Sequence, residues 1–173
     1  QIVYYFAAAV SLGAPRRPVG FAVPTGNFGN VYSGYAARAM GLPIAQLAVG
    51  SNRNDILTRF AQTGRMERAA TAPSLSPSMD IQISSNFERL LFEAYGRDAA
   101  AVRALMKSFA QSKRFEIADS PLAAIRAGFA AGPCLFKDTM QLSAFNNNTL
   151  FLGHAAMLVN EGLPNYLVKR AAL

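Results

Sequence analysis

Val23-Pro24-Thr25-Gly26-Asn27-Phe28-Gly29-Asn30 is the stretch on which the reading of this chain turns. A short apolar run, Val19 to Val23, precedes it and reads as a buried strand. A helical pattern follows, with Val31, Tyr32, Tyr35, Ala36 and Ala39 on one side. Two glycines three residues apart, at a strand-to-helix turn, let the backbone bend sharply and come close to a ligand. The helix that starts there directs its free N–H groups and the positive end of its dipole into the turn. Such a turn suits a phosphate. A plain connector without a ligand satisfies the same pattern, so the residues alone leave both readings open.

Outward from the turn, strands and helices alternate. Pro15 to Pro18 (PRRP) reads as a turn between a first helix and the first strand. The helix after the glycines is expected from about Phe28 to Met40, with Gly41 as C-cap and Pro43 just beyond it. Gln46 to Val49 reads as a second strand. Asn54-Asp55 opens a helix, with Asn54 as cap, Ile56, Leu57 and Phe60 buried, and Gly64 at its end. Ala69 to Met79, rich in Ser, Thr and Pro, reads as a loop. Ser85-Asn86-Phe87-Glu88 is a capping box, ahead of a helix burying Phe87, Leu90, Leu91 and Ala94. Asp98 caps the next helix, with Val102, Leu105, Met106 and Phe109 inside. Ser120-Pro121 starts another, with Leu122, Ile125 and Phe129 inside. This order predicts an α/β fold, a parallel sheet with flanking helices.

The 173 residues make one domain's worth of chain, and 51% hydrophobic against 16% charged residues argues against disorder. The apolar first twelve residues are too short to span a bilayer and lack the basic start and cleavage site of a signal peptide. The chain does not begin with Met, and Gln1 to Phe6 reads as the inside of an element, so a fragment of a longer protein is expected. The single cysteine, Cys134, excludes an internal disulfide and fits a reducing, cytoplasmic setting. With one histidine, His154, no zinc site is expected. The net charge of +7 is scattered rather than massed, with no aromatic interleaving, so neither a nucleic acid nor a membrane is an expected partner.

Five segments in order carry a resemblance: QIVYYF (residues 1–6), the turn VPTGNFGN (23–30), MGLPI (40–44), SNRNDIL (51–57) and SPSMDIQISSNFERLL (76–91). Together they resemble threonine synthase, a pyridoxal-phosphate lyase of fold type II, the tryptophan-synthase-β-like fold, from Gln1 to about Gly132. The resemblance implies threonine biosynthesis: O-phosphohomoserine and water converted to threonine and phosphate, with pyridoxal 5'-phosphate as cofactor. It implies that Gly26, Asn27, Phe28, Gly29 and Asn30 hold the cofactor's phosphate. Asn86 and Arg89, one helical turn apart near Ser84 and Ser85, then become candidates to bind the phosphate of the small-molecule substrate. A capped surface helix with Arg89 in solvent explains the same residues. Asn52, Asn54 and Asp55 either border that cleft or serve as caps.

Two features depart from the family's pattern. Its cofactor lysine sits in a Phe-Lys-Asp segment N-terminal to everything matched here. Phe136-Lys137-Asp138 looks like that segment but follows the phosphate turn, so no catalytic residue is assigned and the isolated piece is expected to be inactive. Composition also shifts after Gly132, and we divide the chain into a cofactor-phosphate-binding part, residues 1–132, and a divergent tail, residues 133–173. The rival to an enzyme is a non-catalytic phosphate- or nucleotide-binding α/β module that kept the turn and lost the lysine. A phospholyase acting on another phosphorylated amino acid is a third reading.

Overall fold

A computed structural model describes residues 1–132. The tail, with Cys134, Lys137 and His154, lies outside the described residues. The helices are α1 (Ile2–Ser11), α2 (Gly29–Ala39), α3 (Ile56–Thr63), α4 (Phe87–Ala94), α5 (Ala99–Ser112) and α6 (Asp119–Gly128). The strands are β1 (Val19–Pro24), β2 (Ile44–Gly50), β3 (Arg65–Glu67), β4 (Arg114–Glu116) and β5 (Phe129–Gly132). No helix among the described residues is long and apolar enough to cross a membrane.

The expected parallel sheet is present, in the order β1-β2-β5. Pro24 pairs with Gly50, and Gly50 with Gly132, so all three strands end together. Ligands of open parallel sheets bind outside this carboxyl end. One face of β1 is buried, through Val19, Phe21 and Val23, and β2 buries Ile44, Leu47 and Val49. α1 and α2 pack close because Gly34 has no side chain. A Cβ there would sit 2.6 Å from the Tyr5 ring and 2.9 Å from Leu47.

Several local expectations are corrected. The buried face of α2 is Val31, Gly34 and Ala37, not the stripe through Tyr32, Tyr35, Ala36 and Ala39. Small residues let the helix approach its neighbours, and the two tyrosines, stacked on each other at 5.6 Å, stay half-buried beside it. Phe129 does not continue a helix. It begins β5, opposite Leu47, and its ring packs near Phe28 and Tyr35. A two-stranded antiparallel sheet, β3 with β4, was not anticipated. Its strands are three residues long, too short for a periodic signal, and only Met66 and Phe115 turn inward.

The Ser85–Glu88 capping box does not form. Asn86 holds the N-cap position of α4, and no side chain caps the helix. Nor does Asn54 cap α3. Asp55 stands there, and its carboxylate accepts from Arg59 Nε at 2.9 Å instead. The Asp98 cap is present as expected, accepting from the N–H groups of Ala100 and Ala101.

Candidate functional site

The turn Thr25–Phe28 leaves the carboxyl end of β1 and enters α2. The Thr25 N–H donates to the Gly50 carbonyl at 3.1 Å, which extends the sheet by one residue into the turn. Phe28 then adopts a left-handed conformation, φ 69°. For an L-residue that costs about 1–2 kcal/mol. The surroundings hold it there. Its N–H donates to the buried Thr25 hydroxyl at 3.1 Å, and its ring, 2% exposed, packs edge-on to Phe87 at 5.0 Å.

The kink at Phe28 sets where donors remain. The Gly29 N–H is engaged by the Asn27 side-chain oxygen at 2.9 Å. Helical bonding begins with Tyr32 N–H to the Phe28 carbonyl at 3.0 Å. The Asn30 and Val31 N–H groups precede that bond and have no acceptor among the described residues. Such first-turn donors point out of a helix N-terminus and favour an anion. Tyr5 steadies the start of the helix, its hydroxyl donating to the Asn30 carbonyl at 2.8 Å. Burial pushes the Tyr5 phenol far above its ordinary pKa, so it stays a neutral donor.

The structure brings Asn86 to this turn. Its N–H donates to the Asn27 carbonyl at 3.0 Å. A Cβ added to Gly29 would lie 3.4 Å from Asn86 Nδ2 and 3.3 Å from Asn27 Oδ1, so both amide side chains sit directly against this glycine. Gly26 serves packing: a Cβ there would meet Ile81 at 2.9 Å. Arg89 lies one helical turn beyond Asn86, exposed, its guanidinium carbon 6.0 Å from the centre of the Tyr32 ring. Asn86 thus borders the donors of α2, and Arg89 lies further along the same helix pair. Ser84 Oγ is buried and has no hydrogen-bond partner among the described residues.

Sequence reasoning missed the polar frame behind the turn. Asp80 accepts from Asn52 Nδ2 at 2.8 Å, Asn54 Nδ2 at 2.9 Å, Ser74 Oγ at 2.6 Å and the Ser74 N–H at 2.8 Å. Asn54 Oδ1 accepts from the Ala72 N–H and from Gln82 Nε2. The bonds from Ser74, above all, hold the Asp80 carboxyl below the usual aspartate range. The signal that was available is the run of short polar side chains in SNRND and SPSMD. Its local reading, caps and turns, concealed its long-range use.

No family model matches the chain. Threonine synthase from Pseudomonas aeruginosa is 57% identical over 119 residues, 69% of this chain and 25% of that protein. The chain therefore spans about a quarter of that relative's length. Among solved structures, PLP-bound threonine synthase from Brucella melitensis superposes with a TM-score of 0.75 and 61% identity, over 76% of this chain and 28% of that one. Yeast threonine synthase gives a TM-score of 0.71 at 33% identity, over 79% of this chain and 31% of that one. In sequence and in its α/β fold alike, the chain resembles a segment of threonine synthase.

Proposed function

We propose that this chain is the cofactor-phosphate-binding part of a threonine synthase, which converts O-phosphohomoserine and water to threonine and phosphate. The observation that carries the reading is the turn itself: a glycine flanked by two asparagine side chains and two unengaged N–H groups at a helix N-terminus, at the carboxyl end of a parallel sheet. These features fit the phosphate of pyridoxal 5'-phosphate, which supplies an electron sink when bound. Gly26, Asn27, Phe28, Gly29 and Asn30 would form the cradle. Phe28 and Thr25 shape it, and the amides at the start of α2 bind.

Asn86 and Arg89 are proposed as substrate-binding residues. The support is that α4 presents Asn86 beside Gly29, with Arg89 exposed one helical turn away and free to swing its planar fork onto a phosphate. On this reading residues 1–132 supply half of a site, and residues 133–173 form a separate tail. The cofactor lysine comes from other chain, so the 173 residues alone release no phosphate from O-phosphohomoserine. The lone cysteine supports a cytoplasmic location.

Gly29→Val in the full-length enzyme tests the reading. The added side chain would displace Asn27 Oδ1 and Asn86 Nδ2 and fill the approach to the α2 amides. Affinity for pyridoxal 5'-phosphate should fall about ten-fold or more. A folded variant that binds the cofactor as wild type does would refute the assignment.

A further inference from the structure

The segment between Asp80 and Asn86 crosses the phosphate turn and is attached at both ends. At its far end the Asn86 N–H donates to the Asn27 carbonyl at 3.0 Å. Next to its near end Ile81 packs on Gly26, at the position a Cβ would occupy. Between these points Gln82, buried, donates to Asn54 Oδ1 at 3.3 Å and accepts from Arg59 Nη2 at 3.2 Å. Asp80 immediately precedes this segment and shares the Asn54 side chain with Gln82.

Asp80 stands where four donors converge. Three meet Oδ1 and one meets Oδ2. They come from two separate stretches: Asn52 and Asn54 in the loop after β2, and Ser74 in the Ser- and Pro-rich loop. A carboxylate is an acceptor only, with about four lone-pair positions, and matches this set. An amide at position 80 would turn a donor toward a donor. The loop after β2 is itself braced: Asn52 Oδ1 accepts from the Asn54 N–H at 2.8 Å within it, and Ser51 at its start accepts from Thr58 of α3 at 3.2 Å. Asp80 is thus the joint through which the sheet's carboxyl end places the Ile81–Asn86 segment.

We propose that Asp80 is a positioning residue: by gripping Asn52, Asn54 and Ser74, its carboxylate holds Ile81 and Asn86 against the turn Gly26–Asn30 and sets that turn's affinity for phosphate. The inference rests on the reading of the turn as a phosphate site, and its test separates the two. The 173-residue chain, isotope-labelled, is titrated with inorganic phosphate while the Asn30 and Val31 amide signals are followed. Hydrogen exchange at the Asn86 N–H is measured without ligand. Asp80→Ala should weaken phosphate binding about ten-fold, the size expected when one member of a coupled network is removed. Exchange at Asn86 should quicken about ten-fold, while Val49 in the sheet exchanges as before.

Asp98→Ala, which removes the α5 cap, is the control and should change neither reading. If Asp80→Ala does not fold, Asp80→Asn takes its place, with the same signs and smaller changes. Wild-type phosphate affinity in a folded Asp80 variant overturns the positioning role and leaves the phosphate site standing. Unchanged Asn86 exchange overturns it too. A wild-type chain that binds no phosphate overturns the site itself, and the control of affinity with it.

Discussion

The carboxyl end of the β1-β2-β5 sheet and helix α5 are built on different plans. Around α5 most polar bonds are local. Asp98 caps Ala100 and Ala101, Ser112 accepts no distant partner but donates to Ser108 and Arg114, and Arg97 pairs with Glu93 one turn away. At the turn the bonds are long-range: Tyr5 to Asn30, Asn86 to Asn27, and Asn52 and Asn54 to Asp80. The first region is held mainly by bonds between near neighbours, although Arg97 and Lys113 beside α5 are left-handed too. The second holds a left-handed phenylalanine and unengaged helix donors, with distant segments packed and bonded around them. Missing side-chain caps do not by themselves mark the site, since α1, α3 and α6 lack them too. The frame around α2 distinguishes it.

The largest break in this contrast should come from Phe28→Ala. The ring is buried between Phe87 and Phe129, and its loss removes the packing that keeps residue 28 left-handed. We expect destabilisation of about 3–5 kcal/mol, the range for a buried Phe→Ala change. A thermal melt measures it, and the Asn30 and Val31 amide signals should lose their phosphate response. An ordinary surface-sized loss would mean that the backbone holds the kink unaided.

Asp98→Ala should act in the other region alone. Removing a cap that accepts two N–H groups costs about 1 kcal/mol. Chemical denaturation should register that loss, with the phosphate response of the turn unaltered. A change in phosphate affinity would show that the two regions are coupled, contrary to the contrast drawn here.

Acid should loosen the site's frame selectively. Asp80 has its pKa lowered in the folded state, chiefly by its bonds from Ser74, with further help from Asn52 and the charge of Arg53. Its contribution is therefore present above the ordinary aspartate value of about 4 and is lost as pH falls through the lower folded value. The difference in melting temperature between wild type and Asp80→Asn should be steady near neutrality and shrink below about pH 4. A difference that is constant down to low pH would mean that the carboxylate charge at position 80 is immaterial.

The smallest effect belongs to the antiparallel pair. Arg65 and Glu116 bridge at 3.2 Å across β3 and β4, but both side chains are more than half exposed. Arg65→Ala should change stability by no more than about 0.5 kcal/mol. Urea titration checks this, and a loss above 1 kcal/mol, on the order of a buried interaction, would mean that this exposed pair holds the sheet together.

Much of the fold was legible in the residues because one-sided burial repeats at a fixed period. Ile56, Leu57 and Phe60 of α3, and Phe87, Leu90 and Leu91 of α4, are buried as their spacing requires. Asp98 was legible because its partners lie two and three residues away. Asn54 and Ser85 were misread for the converse reason. Each has the residue type and position of a cap, yet Asn54 is drawn into bonds with Ala72 and Asp80, and α4 begins after Asn86, whose N–H is already taken by Asn27. Local propensity amounts to about 1 kcal/mol at such positions and yields to a buried network.

By itself, then, the sequence determined the alternation of strands and helices, the glycine turn between β1 and α2, and the likeness to threonine synthase. These depend on periodicity, on glycine's missing side chain and on the order of short motifs, all properties of the chain near each residue. Only the tertiary structure decided that Tyr5 would hold the start of α2, that Asn86 would be seated against the turn, and that Asp80 would bind Asn52 and Asn54. Those outcomes depend on partners 25 or more residues away, at Tyr5, Asn52, Asn54 and Asn86. Nothing within a helical turn of each residue specifies them.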